Sequence, residues 1–298
     1  MVDPQVVDPD DGLPGSVEDP VEAQLDDGRM SFVEHLRDLR TRIRNSIIFL
    51  IGGFAIAYVF KQEILVFLLQ PLLDVWKKYE ESIGPPSLFF GSLIDPFWGY
   101  FSLALWAGVF LASPFIFHQL WLFVAPGLYK RERRLGVVFA ITSAICFIGG
   151  AVFCYYLVLP PVFDFLLGYS TDNLASITHD LGIKVELEGN VALHPLLTMN
   201  EYVSFARKLL IGFGVIFELP LVIFFLSLIG MVNHRSLWKF NRWFIVLSFV
   251  IAALLTPPDV ISQLLMAGPL VVLYNLSIVL SLIVTRRRER RQAAAEQG

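Results

Sequence analysis

The chain has 298 residues, 55% of them hydrophobic and only 17% charged, with a mean hydropathy of +0.63. Soluble domains carry about 25% charged residues, so the composition argues against a soluble enzyme, a nucleic-acid binder or a disulfide scaffold. The net charge of −4 divides unevenly: residues 1–30 hold nine acids and one base, −8 in all, and the remainder carries +4.

Taken in chain order, residues 1–30 are acidic, proline-bearing and free of aromatics, a composition that cannot bury enough apolar surface to order itself. They lack the basic and apolar regions of a secretory signal and read as a disordered cytoplasmic tail; Met30 offers a second candidate start. Ser31-Phe32-Val33-Glu34 matches a capping box ahead of apolar Phe32, Leu36, Leu39, Ile43 and Ile47. An amphipathic helix is therefore expected to start near Ser31 and to run into a first span ending near Phe60. Lys61 to Asp95, with Pro71 and Pro85-Pro86, is too polar to span and reads as an outer loop with short amphipathic helices.

A second span is expected within Phe97–Val124, followed by Lys130-Arg131-Glu132-Arg133-Arg134. The third covers Val137–Leu159 and is expected to stop at Pro160-Pro161, since an interior proline removes a backbone donor and clashes with the preceding turn. Residues 168–200 read as a second long outer loop, with a weakly signalled hairpin within Ile183–Leu193. The fourth span, Leu209–Met231, is interrupted by Glu218, and Met231–Asn241 reads as a connector. A fifth from Phe244 to Leu255 and a sixth from Ile261 to Val284 flank Thr256-Pro257-Pro258-Asp259. Runs near twenty apolar residues are what a bilayer core of about 30 Å demands. The expected fold is thus an all-α polytopic membrane protein of six transmembrane helices over 31–285, with a basic tail at 286–298.

An even number of spans puts both termini on one side. That side carries 17 of the 23 Lys and Arg residues, the other six, and the positive-inside rule places both termini in the cytoplasm and the two long loops outside.

Glu218 is the lone acid inside a span, two residues before Pro220. An ionised carboxylate at the membrane centre costs about 2.5–3.5 kcal/mol on insertion scales. It reads either as a carboxyl bonded to a carbonyl freed by the Pro220 kink or as a polar handle for a partner helix or a watery path. Asp38 lies four residues before Arg42, a helix pair worth about 0.3–0.5 kcal/mol, and Glu132 is the single carboxylate among four cations. The five histidines are scattered, Cys146 and Cys154 read as small apolar residues, and Gly52-Gly53 and Gly149-Gly150 read as close helix contacts. With no nucleophile, phosphate-loop or metal-ligand pattern, neither catalysis nor a cofactor or metal is expected.

Several ordered motifs carry a resemblance. Phe32-x-Glu34-His35-Leu36-x-Asp38-Leu39-Arg40-x-Arg42, Pro114, Gln119-Leu120-Trp121-x-Phe123-x-x-Pro126-Gly127-Leu128, Glu132-Arg133-Arg134, Phe213-Gly214-x-x-Phe217-Glu218-x-Pro220 and Thr256-Pro257-Pro258-Asp259-x-x-Ser262-Gln263 together resemble TatC. That family is the multispanning receptor subunit of the twin-arginine protein translocase of the bacterial cytoplasmic membrane. The chain departs from its pattern in having Asp38 where Glu is usual, and in a longer 170–200 loop.

The resemblance implies a surface that recognises the paired arginines of signal peptides on folded cargo. Asp38 and Glu132 would face the pair, with Glu34, Arg40, Phe123 and Pro126 shaping the site. Glu218, Gln263 and Asp259 would contact TatA- and TatB-type single-span partners, and Pro71 and Pro220 would be structural. It also implies self-association, embedding in a lipid bilayer, no nucleic acid, and transport driven by the proton-motive force. The residues alone leave open a secondary transporter or channel with Glu218 lining a solute path, although neither internal repeats nor further mid-depth polar groups support it. An intramembrane enzyme would need a companion for Glu218 at similar depth.

Overall fold

The computed structural model describes residues 32–124, 133–171, 196–255 and 260–296, and what it describes is all-α. The helices are α1 (Phe32–Val59), α2 (Lys61–Trp76), α3 (Glu80–Ile83), α4 (Asp95–Val124), α5 (Arg133–Phe153), α6 (Leu159–Thr171), α7 (Met199–Phe217), α8 (Leu219–Leu228), α9 (His234–Leu255) and α10 (Val260–Glu296). Six stretches are long and apolar enough to cross a bilayer: Leu36–Val59, Asp95–Val124, Gly136–Gly168, Met199–Leu228, His234–Leu255 and Val260–Arg286. The six expected spans are therefore present. With six spans, the start of α1 and the end of the sixth span lie on one face of the bundle (the terminal face), and α2 and α3, which follow the end of α1, lie on the other (the loop face).

Three boundaries differ from expectation, each for a physical reason. The third span does not stop at Pro160-Pro161. The chain first widens into a π-helical turn, Cys154–Val158, in which the Leu159 N–H reaches back to the Cys154 carbonyl. The two prolines follow at once, at the start of α6, and the span continues through them to Gly168. The fourth span starts at Met199 rather than Leu209, because Thr198 caps it: its hydroxyl accepts from the Glu201 N–H at 3.3 Å and donates to the Glu201 carboxylate at 2.8 Å. This brings Arg207 and Lys208 inside the span. The fifth span is a full 22 residues from His234, so the connector shrinks to a tight turn around Gly230 at φ 83°. The Ile183–Leu193 hairpin and the Pro257-Pro258 turn lie outside the described residues.

The loop between α1 and α4 has the short amphipathic helices expected of it. α2 buries Leu65, Leu68, Leu72, Val75 and Trp76, one stripe at helical spacing. The Trp76 indole N–H donates to the Gly84 carbonyl at 2.8 Å, and Phe89 pairs its backbone with Leu197 and Met199, tying this loop to the start of α7.

Close helix approach holds the bundle together. A methyl group at Gly53 would come within 2.6 Å of the Gly108 carbonyl oxygen, and one at Gly108 within 2.6 Å of the Phe54 nitrogen, so α1 and α4 touch backbone to backbone. A methyl at Gly150 would meet the Phe213 carbonyl at 2.5 Å, and α5 packs on α7 in the same way. Lipid tails are as apolar as leucine, so such contacts stabilise by dispersion and shape rather than by burial. Each glycine pair divides: Gly52 and Gly149 have nothing within 4 Å. Gly53→Ala and Gly150→Ala should each cost about 1–3 kcal/mol as overpacking. Gly52→Ala and Gly149→Ala should be neutral or slightly stabilising; thermal melting of the four variants in one detergent checks the contrast.

Candidate functional site

Polar side chains gather at three levels of the bundle. At the terminal face, the Arg42 Nε donates to Asp38 Oδ1 at 3.1 Å, and its NH1 donates to Gln119 Oε1 at 3.3 Å. The i,i+4 pair legible in the sequence is present, and Gln119, 8% exposed, extends it from α1 to the end of α4. The Asp38 carboxylate is thereby held against two helices, with 24% of its side chain still exposed. Arg40 is exposed and Phe123, one turn beyond Gln119, is half-buried. Glu34 lies in the first turn of α1, its side chain outside the described set, and Pro126 and Glu132 also lie outside the described residues.

Two-thirds of the way along, the fourth span breaks between α7 and α8. Glu218 is the joint, at φ −74° and ψ −21°: its N–H bonds to Val215 at 3.1 Å and its carbonyl accepts from Val222 at 2.9 Å. Pro220 sits in the first turn of α8, where it kinks the chain at little cost. The Glu218 carboxyl faces the Ser143 hydroxyl of α5, and its buried Oε1 has no hydrogen-bond partner among the described residues. Ser143, 1% exposed, also accepts from the Trp121 indole at 2.8 Å. Trp121 stacks on Phe139 at 4.8 Å and meets Phe225 edge-on at 4.8 Å, an arrangement its quadrupole favours. A chain of contacts thus joins spans two, three and four at the carboxyl.

At the loop face, Pro71 is buried within α2. Lacking an N–H, it leaves the Phe67 carbonyl one turn earlier without its helical donor. The Tyr155 hydroxyl supplies the missing bond at 2.6 Å, its ring stacked on Phe67 at 4.6 Å and 2°, and the Tyr202 hydroxyl donates to the neighbouring Leu68 carbonyl.

Gln263 is half-buried in the first turn of α10, and Asp259 is outside the described residues. Sequence reasoning gave no role to Gln119, Trp121 or Ser143. The first two lay within a quoted motif, whereas nothing in the sequence pairs Ser143 with Glu218.

These features define a multi-span helical membrane protein with polar groups at one face, within the fourth span and beneath the opposite loop. The sequence matches the family described as Sec-independent protein translocase protein (TatC) over residues 34–269. It is 36% identical over 271 residues to the TatC protein of Koribacter versatilis, covering 90% of this chain and 92% of that one. It is 35% identical over 265 residues to that of Aquifex aeolicus, covering 89% and 100%. The fold matches a crystal structure of the twin arginine translocase receptor TatC with a TM-score of 0.68 at 35% identity, over 85% of this chain and all of that one. The chain belongs to the TatC family of protein translocase subunits and is a multi-pass protein of the bacterial cytoplasmic membrane.

The carbonyl freed by Pro71 has a measurable signature. Tyr155→Phe keeps the ring stack and removes one buried bond, and should cost about 1–2 kcal/mol. In a Pro71→Ala background, where the helix supplies its own donor, the same change should cost distinctly less; a double-mutant cycle on melting midpoints reads the coupling.

Proposed function

We propose that this chain is the signal-peptide receptor of a twin-arginine translocase, with the terminal face cytoplasmic and the Asp38 cluster as part of the binding surface. The observation that carries this reading is the Asp38 carboxylate, fixed by Arg42 and Gln119 yet still exposed. A carboxylate has about four lone-pair sites; Arg42 takes one, leaving the second oxygen for an incoming donor. Guanidinium presents a planar fork that matches carboxylate geometry, and ammonium does not. A receptor that separates arginine from lysine therefore needs immobilised acids rather than a diffuse negative field.

Glu132 supplies the second acid, with Glu34, Arg40, Phe123 and Pro126 around it. The four cations flanking Glu132 would repel an incoming pair unless turned to lipid phosphates, where basic residues at a membrane surface are stabilised. The 17-to-6 distribution of basic residues supports the orientation. Residues 1–30 and 286–298 then lie in the cytoplasm as an acidic and a basic extension of the 31–285 domain.

Glu218 acts as the handle for a single-span partner of the TatA or TatB type. Its Oε1, buried within the span and without a partner among the described residues, supports this over a carboxyl spent on the kink, and Gln263 and Asp259 contribute at the fifth and sixth spans. Several copies associate in the receptor complex, and folded cargo crosses at the expense of the proton-motive force. No catalytic step is assigned to the chain.

The test is capture of a reporter bearing a twin-arginine signal by the full-length protein in membranes. Replacing the pair by Lys-Lys should reduce capture about tenfold or more, the loss of one to two charge-assisted bonds. Asp38→Lys and Glu132→Lys should do the same while leaving membrane insertion intact, and Asp38→Glu should retain capture. Unchanged crosslinking in both Lys variants would reject the assignment. Glu218→Ala should abolish transport with little loss of stability; equal loss of both would return Glu218 to a structural role.

A further inference from the structure

Arg207 lies eight residues into the fourth span, half-buried, on the wall of an apolar groove of about 510 Å³ open to one side of the bundle. Spans one to four and α2 line the groove with aliphatic and aromatic side chains, among them Ile56, Phe67, Phe110, Ile148 and Tyr156, and Arg207 is its one charged lining residue among the described residues. The guanidinium donates through NH1 to the Ser102 hydroxyl and through NH2 to the Ser204 hydroxyl at 3.2 Å, and lies 5.4 Å from the Trp106 ring. No carboxylate among the described residues pairs with it. Hydroxyls and a ring orient a guanidinium without neutralising it, and three of its five N–H donors have no partner among the described residues.

Depth decides what can neutralise it. Spans two and four are 30 residues each, about 45 Å long, against a hydrocarbon core of about 30 Å. Their ends therefore rise some 7–8 Å above that core on each side. Arg207 lies about 12 Å below the loop-face end of its helix and Ser102 about 10 Å below the end of its own. The guanidinium root thus sits about 4–5 Å inside the hydrocarbon boundary, within snorkelling reach of the lipid phosphates of that leaflet. A partner helix would have to carry a carboxylate into the hydrocarbon to meet it, at the cost noted for Glu218. A phospholipid already holds its phosphate at the right height and its acyl chains beside the open side of the groove.

We propose that this groove holds one phospholipid of the loop-face leaflet, its phosphate on Arg207 with the Ser102 and Ser204 hydroxyls as further donors, and an acyl chain along Ile56, Phe110 and Ile148. The bound lipid neutralises the arginine and fills the space between the first and fourth spans. The inference stands independently of the signal-peptide reading, because it uses the opposite face and none of the same residues.

The experiment is retention of dioleoyl-phosphatidylglycerol against dioleoylglycerol by the delipidated full-length protein in detergent, read by native mass spectrometry. The two probes share acyl chains and differ in the phosphate. Wild type should retain the phosphatidylglycerol about tenfold more strongly, the scale of a charge-assisted phosphate contact. Arg207→Gln should lower it to the diacylglycerol level, Arg207→Lys should keep part of the difference, and Lys208→Ala on the exposed flank should change nothing. Ile56→Trp, which fills the groove and leaves the arginine, should reduce retention of both lipids and guards against a folding artefact. Equal retention of the two probes by wild type, or undiminished phosphatidylglycerol retention in Arg207→Gln, would overturn the proposal. So would a photoreactive side chain at position 56 that captures a protein helix rather than lipid in native membranes.

Discussion

Inside a bilayer the backbone has no water to turn to, so each departure from the straight α-helix must find its own hydrogen-bond partner. This chain departs at several places, and the side chains around each departure are the ones with no obvious role in an apolar protein. Pro71 orphans the Phe67 carbonyl, and a tyrosine from the third span takes it. The π turn at Cys154–Val158 absorbs the two prolines that follow, letting one helix continue to Thr171 on the loop face. The same turn carries Tyr155 to its place above α2. The break at Glu218 is closed by backbone bonds alone, so the carboxyl there is not consumed by the kink.

That difference separates structural from functional polarity. Tyr155, Tyr202 and the Ser227–Ser281 pair at 2.7 Å are each matched one to one with a partner, and removing either member leaves the other unsatisfied. Among the described residues Asp38 and Glu218 instead retain unused acceptor capacity, one at the face and one within the fourth span. Such capacity adds nothing to the packing of the described residues, which is what sets these two carboxyls apart from the matched pairs.

How much of this was legible follows from what each feature depends on. The six spans were readable because the absence of charge is a local property, and so was the Asp38–Arg42 pair, one helical turn apart. The ends of the fourth and fifth spans were not. Arg207, Lys208, Arg235 and Lys239 look like loop residues by composition, yet long cationic side chains can sit within a helix end and reach outwards. The Thr198-x-x-Glu201 cap was the available signal for the fourth span. Gly52-Gly53 and Gly149-Gly150 announced close packing, but which glycine of each pair touches a neighbour depends on helix rotation. The Arg42–Gln119 contact spans 77 positions and the Trp121–Ser143 contact 22, and no local pattern encodes either. Glu132, Pro126 and Asp259 lie outside the described residues, so their roles rest on motif alone.

Two ionisable residues on one span raise the question of whether they neutralise each other. Arg207 and Glu218 are eleven residues apart in α7 and its joint with α8, about 16 Å along a helix and at nearly the same rotational phase. At that separation an effective dielectric of about 20 leaves roughly 1 kcal/mol of attraction. Holding either charge in hydrocarbon costs about 2.5–3.5 kcal/mol on insertion scales. The internal pair therefore falls short of holding the two as ions, and each group is balanced at its own depth. The arginine lies where lipid phosphate is always at hand, so the bilayer itself can satisfy it. The carboxyl lies beyond reach of lipid phosphate, but unlike a guanidinium it can shed its charge by taking up a proton, and then needs only hydrogen-bond partners. The two ionisable groups of one span are thus satisfied by different means, the arginine from the height of the lipid phosphates and the carboxyl by proton uptake and hydrogen bonding within the bundle.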